Sequence, residues 1–143
     1  MADDNKAQLI AGLNTDLAGE YGAVITYRTY ASAVTGPYRQ ELRAFFGAEI
    51  GDELTHAALL ADKIVALGGT PTMQPAPTKM TDDPRQMLRN ALEDEEVTID
   101  RYVERRRQAE AVGEYGLAVS LDDVIADESK HRDELRLMLT RWT

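Results

Sequence analysis

The chain has no cysteine, which excludes disulfides, thiolate nucleophiles and sulfur-ligated metal centres together. It has no apolar run approaching the roughly 18 residues that a membrane span needs, so no membrane partner is expected. Basic residues are also short: 16 Lys and Arg stand against 25 Asp and Glu, and the net charge of −9 opposes binding to a phosphate backbone. No nucleic-acid partner is expected. The opening "MADDNKAQ" lacks the basic and apolar segments of a secretion signal, so the expected location is cytoplasmic. Histidine is scarcest among the metal-binding residue types that are present, with two in 143 residues.

What is present is helical periodicity. Apolar residues recur at Leu9, Leu13, Leu17, Val24 and Tyr27, the 3.6-residue spacing of one helix face. "TGPY" interrupts the chain, and a second stripe follows through Leu42, Phe46, His56, Leu60 and Ile64. Pro71, Pro75 and Pro77 then forbid a helix. Asp83 followed by Pro84 reads as an N-cap and first helical residue. "GEYG" separates a third helix from a fourth, whose stripe is Leu117, Leu121, Val124, Leu135 and Met138. The expected elements are helices at about 4–34, 38–67, 84–112 and 115–142 within a single domain spanning 1–143.

Link lengths specify the topology. Tight turns make helices one and two, and three and four, antiparallel neighbours. The middle link of roughly 15 residues can reach about 50 Å, longer than the ~42 Å of a helix of about 28 residues. It can run the length of the bundle. The expectation is an all-α, ferritin-like four-helix bundle, in which two antiparallel helical hairpins are joined by a long crossover.

Both histidines lie in one repeated phrase, "DELTH" from Asp52 to His56 and "DESKH" from Asp127 to His131. Glu53 and His56, like Glu128 and His131, stand at i and i+3 on one helix face and interrupt an apolar seam. Glu20 interrupts the seam of helix one, 33 positions before Glu53, and Glu95 stands 33 before Glu128. The two sets are offset by 75 residues, and so are Leu13 and Leu88, Leu17 and Leu92, Tyr27 and Tyr102, and Leu60 and Leu135. That is an internal duplication of a helical hairpin. It selects Glu95 over its neighbour Glu96.

A single Glu-x-x-His in an acidic chain is ordinarily a surface pair. Two copies that hold every histidine, each with an inward glutamate at matched spacing, point to metal ligation, because buried carboxylates need partners. One Glu from each of two helices and Glu-x-x-His from the other two is the di-metal carboxylate constellation of ferritin-like bundles. Hard oxygens with one imidazole per ion suit iron or manganese. The expected metal ligands are therefore Glu20, Glu53, His56, Glu95, Glu128 and His131. Asp52 and Asp127, one residue off the seam, are candidates to hold a histidine of the neighbouring helix. Glu49, one turn before Glu53, has Val124 as its repeat counterpart and is a candidate accessory ligand. Tyr27 and Tyr102 are candidates for redox or hydrogen-bonding roles. "RYVERRRQAE" in helix three reads as a solvated face. Ile10, Tyr21, Ile25 and Phe45 lie off the inward stripe and would make an interface for at least a homodimer.

"LNTDLAGEYGAVITY" leading through "DELTH", and "MLRNALEDE" leading through "DESKH", resemble the helix pairs of the ferritin-like di-iron superfamily, most closely its bacterioferritin-type members, over about residues 5 to 140. The resemblance implies two Fe ions as cofactor and ferroxidase activity, with Fe(II) oxidised by O2 or H2O2 for iron storage or detoxification. It also implies that Tyr27 lies near the di-iron site. The alternatives are a di-iron or di-manganese peroxide-scavenging enzyme or oxygenase, and a mainly structural storage subunit. Two departures modify these expectations. The family's haem methionine is Leu54 here, so no haem is expected. The sequence leaves no room after helix four for the family's short fifth helix, so a 24-subunit shell is not expected.

Overall fold

In a computed structural model describing residues 2–142, four helices follow in the order α1 (Ala2–Ala33), α2 (Arg39–Ala66), α3 (Pro84–Ala111) and α4 (Tyr115–Leu139). The seams expected from periodicity supply the core: Leu9, Leu13, Leu17, Phe46, Leu60, Ile64, Leu88, Leu121 and Leu135 are fully buried. Each such side chain contributes on the order of 2 kcal/mol of transfer free energy. Val24 and Met138 are half-buried at the edges of their stripes.

The ends differ from the sequence expectation by a few residues, for local reasons. Helix α1 starts earlier, at Ala2, with Asp3 and Asp4 in a first turn that favours negative charge. It has no basic residue in its last turn, and Arg39 and Arg43 of α2 supply that function across the turn. The Arg39 guanidinium donates to the carbonyls of Ser32 (3.0 Å) and Val34, and Arg43 donates to that of Ala31 (3.2 Å). Helix α4 ends at Leu139, short of the expected Trp142. Thr140 turns extended, its hydroxyl donates to the Arg136 carbonyl at 2.8 Å, and Arg141 takes a positive φ of 60°. The N-cap of α3 is as read: Asp83 accepts from the Arg85 amide at 3.3 Å, with Pro84 as first helical residue.

The crossover is pinned along α1 in register. The Asn14 side chain donates to the Thr70 carbonyl (3.0 Å) and accepts from the Thr72 amide (2.8 Å). The Ala76 amide donates to the Ala18 carbonyl (2.8 Å), and the Tyr30 hydroxyl donates to the Lys79 carbonyl (2.5 Å). Partners that advance from 14 to 18 to 30 carry the segment along about 24 Å of α1. It therefore delivers α3 to the end of the bundle where α2 began, and α2 and α3 run parallel. Gly22 makes room for it: a β-carbon there would lie 3.0 Å from the Ala76 carbonyl oxygen.

Helix three departs from expectation. Arg105, placed by the sequence reading on a solvated face, is buried, and Arg101 is half-buried. Arg105 donates to both carboxylate oxygens of buried Asp16, at 2.7 and 3.2 Å, and Arg101 Nε lies 3.4 Å from the same group. Gly12 admits this pair, since a β-carbon there would fall 1.9 Å from Arg105 Nη1. The interface expectation also needs correction. Of its four side chains only Ile25 is exposed (44%), whereas Ile10, Tyr21 and Phe45 pack partly buried against the core.

Removing one partner of a buried ion pair strands the other. Asp16→Ala should destabilise the fold by about 3–5 kcal/mol, and the double change Asp16→Leu with Arg105→Met by much less. Denaturant midpoints of the single and double variants check this, and equal losses would show that the pair is not coupled.

Candidate metal centre

Midway along the bundle the core is interrupted. One apolar layer, built on Leu13, Leu17, Leu60 and Leu121, lies on one side. A second, built on Tyr27, Phe46, Leu88 and Leu135, lies on the other. Between them the four helices bring together Glu20 (α1), Glu53 and His56 (α2), Glu95 (α3), and Glu128 and His131 (α4), all buried. Glu49 joins them, although its repeat counterpart is a valine.

The donors fall into two overlapping groups, Glu20, Glu53, His56 and Glu128, and Glu49, Glu53, Glu95 and His131, each within 4.8 Å. Glu53 belongs to both. His56 Nδ1 lies 3.1 Å from Glu128 and 3.8 Å from Glu20. His131 Nδ1 lies 2.7 Å from Glu49, 3.5 Å from Glu53 and 3.7 Å from Glu95. Glu49, read from sequence as accessory, is thus the nearest carboxylate to His131.

Both imidazoles and two of the glutamates are held by the other half of the repeat. The Nε2–H of His56 donates to Asp127 on α4 at 3.2 Å, and that of His131 donates to Asp52 on α2 at 3.1 Å. These contacts aim both Nδ1 atoms at the carboxylates. The Tyr27 hydroxyl donates to Glu95 at 2.8 Å, and the Tyr102 hydroxyl donates to Glu20. Burial and the facing carboxylate push both phenols well above their usual range. In the metal-free chain both tyrosines are neutral donors. Glu96, the residue that the repeat rejects, points outward and lies 3.5 Å from Arg136.

Like charges this close cannot all persist in a dry core. Burial, then the neighbouring Glu20, holds Glu53 well above the usual carboxylate range. Burial and Glu95 push Glu128 up to about 9. Burial would also raise Glu95, but contacts with Glu128 and His131 and the Tyr27 hydroxyl outweigh it and keep that carboxylate ionised. Burial would lower both imidazoles, yet Glu128 and Glu20 raise His56 to about 10, and Glu49, Glu53 and Glu95 raise His131 further. Without metal, protons occupy the positions that cations would take.

Hydrogen bonding gives a test of fit. Among the described residues, the buried side-chain atoms that make no well-aligned hydrogen bond are Glu20 Oε2, Glu49 Oε2, Glu53 Oε1, His56 Nδ1, Glu95 Oε2, Glu128 Oε1, His131 Nδ1 and, outside the cluster, Arg101 Nε. All but the last converge on one place. Unsatisfied buried groups are rare in native proteins, and oxygen and imidazole donors of this kind fit hard divalent ions.

The sequence profile of the ferritin-like domain matches residues 10–143. The chain belongs to the ferritin-like family. A ferritin-like, diiron-carboxylate protein from Bacillus anthracis shares 49% identity, with 94% of this chain and 97% of that one covered and a TM-score of 0.93. An archaeal Dps homologue from Halobacterium salinarum (24% identity, 98% and 83% covered, TM-score 0.90) shares the fold. So does the bacterioferritin of Desulfovibrio desulfuricans, described with a diiron site (23%, 98% and 82%, TM-score 0.87). No curated protein matches the sequence. Leu54, directly after Glu53, is half exposed on α2.

Sequence reasoning missed the reciprocity of the tyrosines and the place of Glu49. The first was visible in the 75-residue offset between Tyr27 and Tyr102. The second was visible as an acidic residue on the buried face, one turn from Glu53.

The proton loading fixes a pH dependence. Glu128 rises from its ordinary 4.5 to about 9 and His56 from 6.5 to about 10, so the metal-free fold binds protons that the unfolded chain has released. Their stabilising contribution is complete below about pH 4.5 and is lost as pH climbs toward 9–10. The melting temperature of metal-free protein should fall from pH 6 to pH 9, and less so with Mn(II) bound. Calorimetric Mn(II) titrations at pH 7, in buffers of different ionisation enthalpy, should show release of roughly four protons per two ions. Zero release would contradict the proton-filled site.

Proposed function

We propose that the chain is a ferroxidase-type di-iron protein that takes up Fe(II) and oxidises it with O2 or H2O2 for iron storage or detoxification. One observation carries the reading: seven buried donor atoms without a well-aligned hydrogen bond converge between the two apolar layers. Two bound ions supply two electrons, so that two Fe(II), one H2O2 and two protons become two Fe(III) and two waters. Manganese suits the same donors.

The protein's part is charge, geometry and protons. Glu20, Glu53, Glu95 and Glu128 offset the four positive charges of two divalent ions in a low-dielectric layer. Glu53, common to both donor groups, would be the carboxylate shared by two bound ions. Asp52 and Asp127 fix the two imidazoles against rotation. Tyr27 and Tyr102 lie against Glu95 and Glu20, within reach of the reacting centre as hydrogen-bond donors. With Glu49 the His131 group, like the His56 group, offers three carboxylates and one imidazole. Exposed Ile25 and Leu54 on α1 and α2 favour a homo-oligomer of at least two chains.

Anaerobic Fe(II) titration should give about two ions per chain. Glu95→Ala should lose one equivalent, and Glu96→Ala should keep both. Addition of O2 or H2O2 should then raise the near-ultraviolet absorbance of Fe(III), and an inert Fe(II)-loaded protein would refute ferroxidase chemistry. Glu49→Gln should weaken one of the two affinities by about tenfold and leave the other within about twofold. Equal weakening of both would remove Glu49 from the His131 side.

A further inference from the structure

The two donor groups match in kind, so a difference between two bound ions has to come from outside them. The duplicated sequence supplies the comparison. On α1, Gly12, Asp16 and Gly19 share one face, with Glu20 one turn beyond Asp16. Their counterparts at the offset of 75 are Met87, Ala91 and Asp94. Against that face α3 lays Arg101 and Arg105, whose own counterparts are the neutral Thr26 and Tyr30. The glycines make the difference possible. A β-carbon at Gly12 would lie 1.9 Å from Arg105 Nη1, and one at Gly19 would lie 2.4 Å from Arg101 Nη2.

The result is a buried cluster with surplus positive charge. Asp16 is 1% exposed and Arg105 7%. The Arg105 fork takes both Asp16 oxygens, and Arg101 Nε, itself without a well-aligned hydrogen bond, stands 3.4 Å from the same carboxylate. Two guanidiniums thus face one acid. Burial pushes the Asp16 carboxyl upward against the pull of Arg105, and protonating it would make the cluster more positive still. Glu104, next to Arg105 in sequence, is engaged by Arg107 at 2.9 Å. Beside Glu95 the charges run the other way. Asp94 stands where the first half has Gly19, and it and Glu93 face Lys79, with Arg101 acting on Asp94 less strongly than Lys79 does. The positive end of this gradient lies one turn from Glu20, a member of the His56 group.

Resting on the di-metal reading above, we propose that Arg101, held in place by Asp16 and beside Arg105, is the residue outside the ligand set that makes the two metal positions unequal. The position bounded by Glu20, His56 and Glu128 binds its ion more weakly, filling second and emptying first. The position bounded by Glu49, Glu95 and His131 fills first. The cause is Coulombic: a fixed positive charge repels the nearer of two dications more than the farther, and a partly buried site screens the difference poorly. A guanidinium suits this role because it stays charged at every working pH.

The test is equilibrium Co(II) binding to the full-length metal-free protein, read by visible absorption, with one position removed at a time. His56→Ala leaves the His131 position and His131→Ala leaves the His56 position. Each should bind about one Co(II), the His56→Ala protein about threefold to tenfold more tightly. Adding Arg101→Gln should tighten binding to the His131→Ala protein by about the same factor, and to the His56→Ala protein by less than about twofold. Arg101→Met removes the same charge with a different side chain and should act alike, whereas Arg101→Lys keeps the charge and should restore the original order. Arg101→Lys that behaves as Arg101→Gln does would assign the effect to packing and overturn the inference. Equal or reversed affinities of the two histidine variants, with two Co(II) bound by the parent, would overturn it and leave the centre standing. Parent protein that binds no Co(II) would overturn both together.

Discussion

The structure depends on one unfavourable juxtaposition: five buried carboxylates share one layer of the bundle with two imidazoles. Seven of their side-chain atoms make no well-aligned hydrogen bond. Whatever occupies the centre, protons or cations, must supply positive charge, so occupancy and stability are one problem. The apolar layers on either side make the juxtaposition tolerable by fixing the helices independently of it. They also make it strong, because they exclude water that would screen the charges.

The support of the centre is crossed between halves. Neither histidine and neither tyrosine-bonded glutamate of the centre takes its supporting hydrogen bond from its own hairpin: α1 and α3 exchange Tyr–Glu hydrogen bonds, and α2 and α4 exchange His–Asp ones. The exchange follows the duplicated sequence, so the centre has approximate two-fold symmetry. Its departures are informative. Glu49 faces a valine in the repeat, and the buried Asp16–Arg105 pair corresponds to Ala91 and Tyr30. The symmetric elements orient donors, whereas the asymmetric ones distinguish the two ends of the bundle.

Much of this was legible in the sequence, for physical reasons that also mark the limits. Periodicity announced the four helices, because a helix must bury a stripe. The repeat announced which of Glu95 and Glu96 faces inward, where periodicity alone was ambiguous. Arg105 was illegible in "RYVERRRQAE", since a run of arginines looks solvated until Asp16 and Gly12 on a distant helix are placed beside it. Helix α4 stops at Leu139 by a local backbone turn at Thr140 and Arg141, which no apolar spacing encodes. The crossover's prolines revealed that it is not helical, but not that it would roof the groove over Glu20 and Glu95.

Crossed support has a kinetic corollary. A two-helix unit carrying only half of these residues would complete its centre by meeting a second copy, in a step that depends on concentration. The crossover, fastened along α1 by Asn14, Ala18 and Tyr30, makes that meeting intramolecular. Tethers of this kind hold the second half at an effective concentration on the order of millimolar. Assembly of the centre is thereby first-order in the chain, and dilution leaves each centre whole.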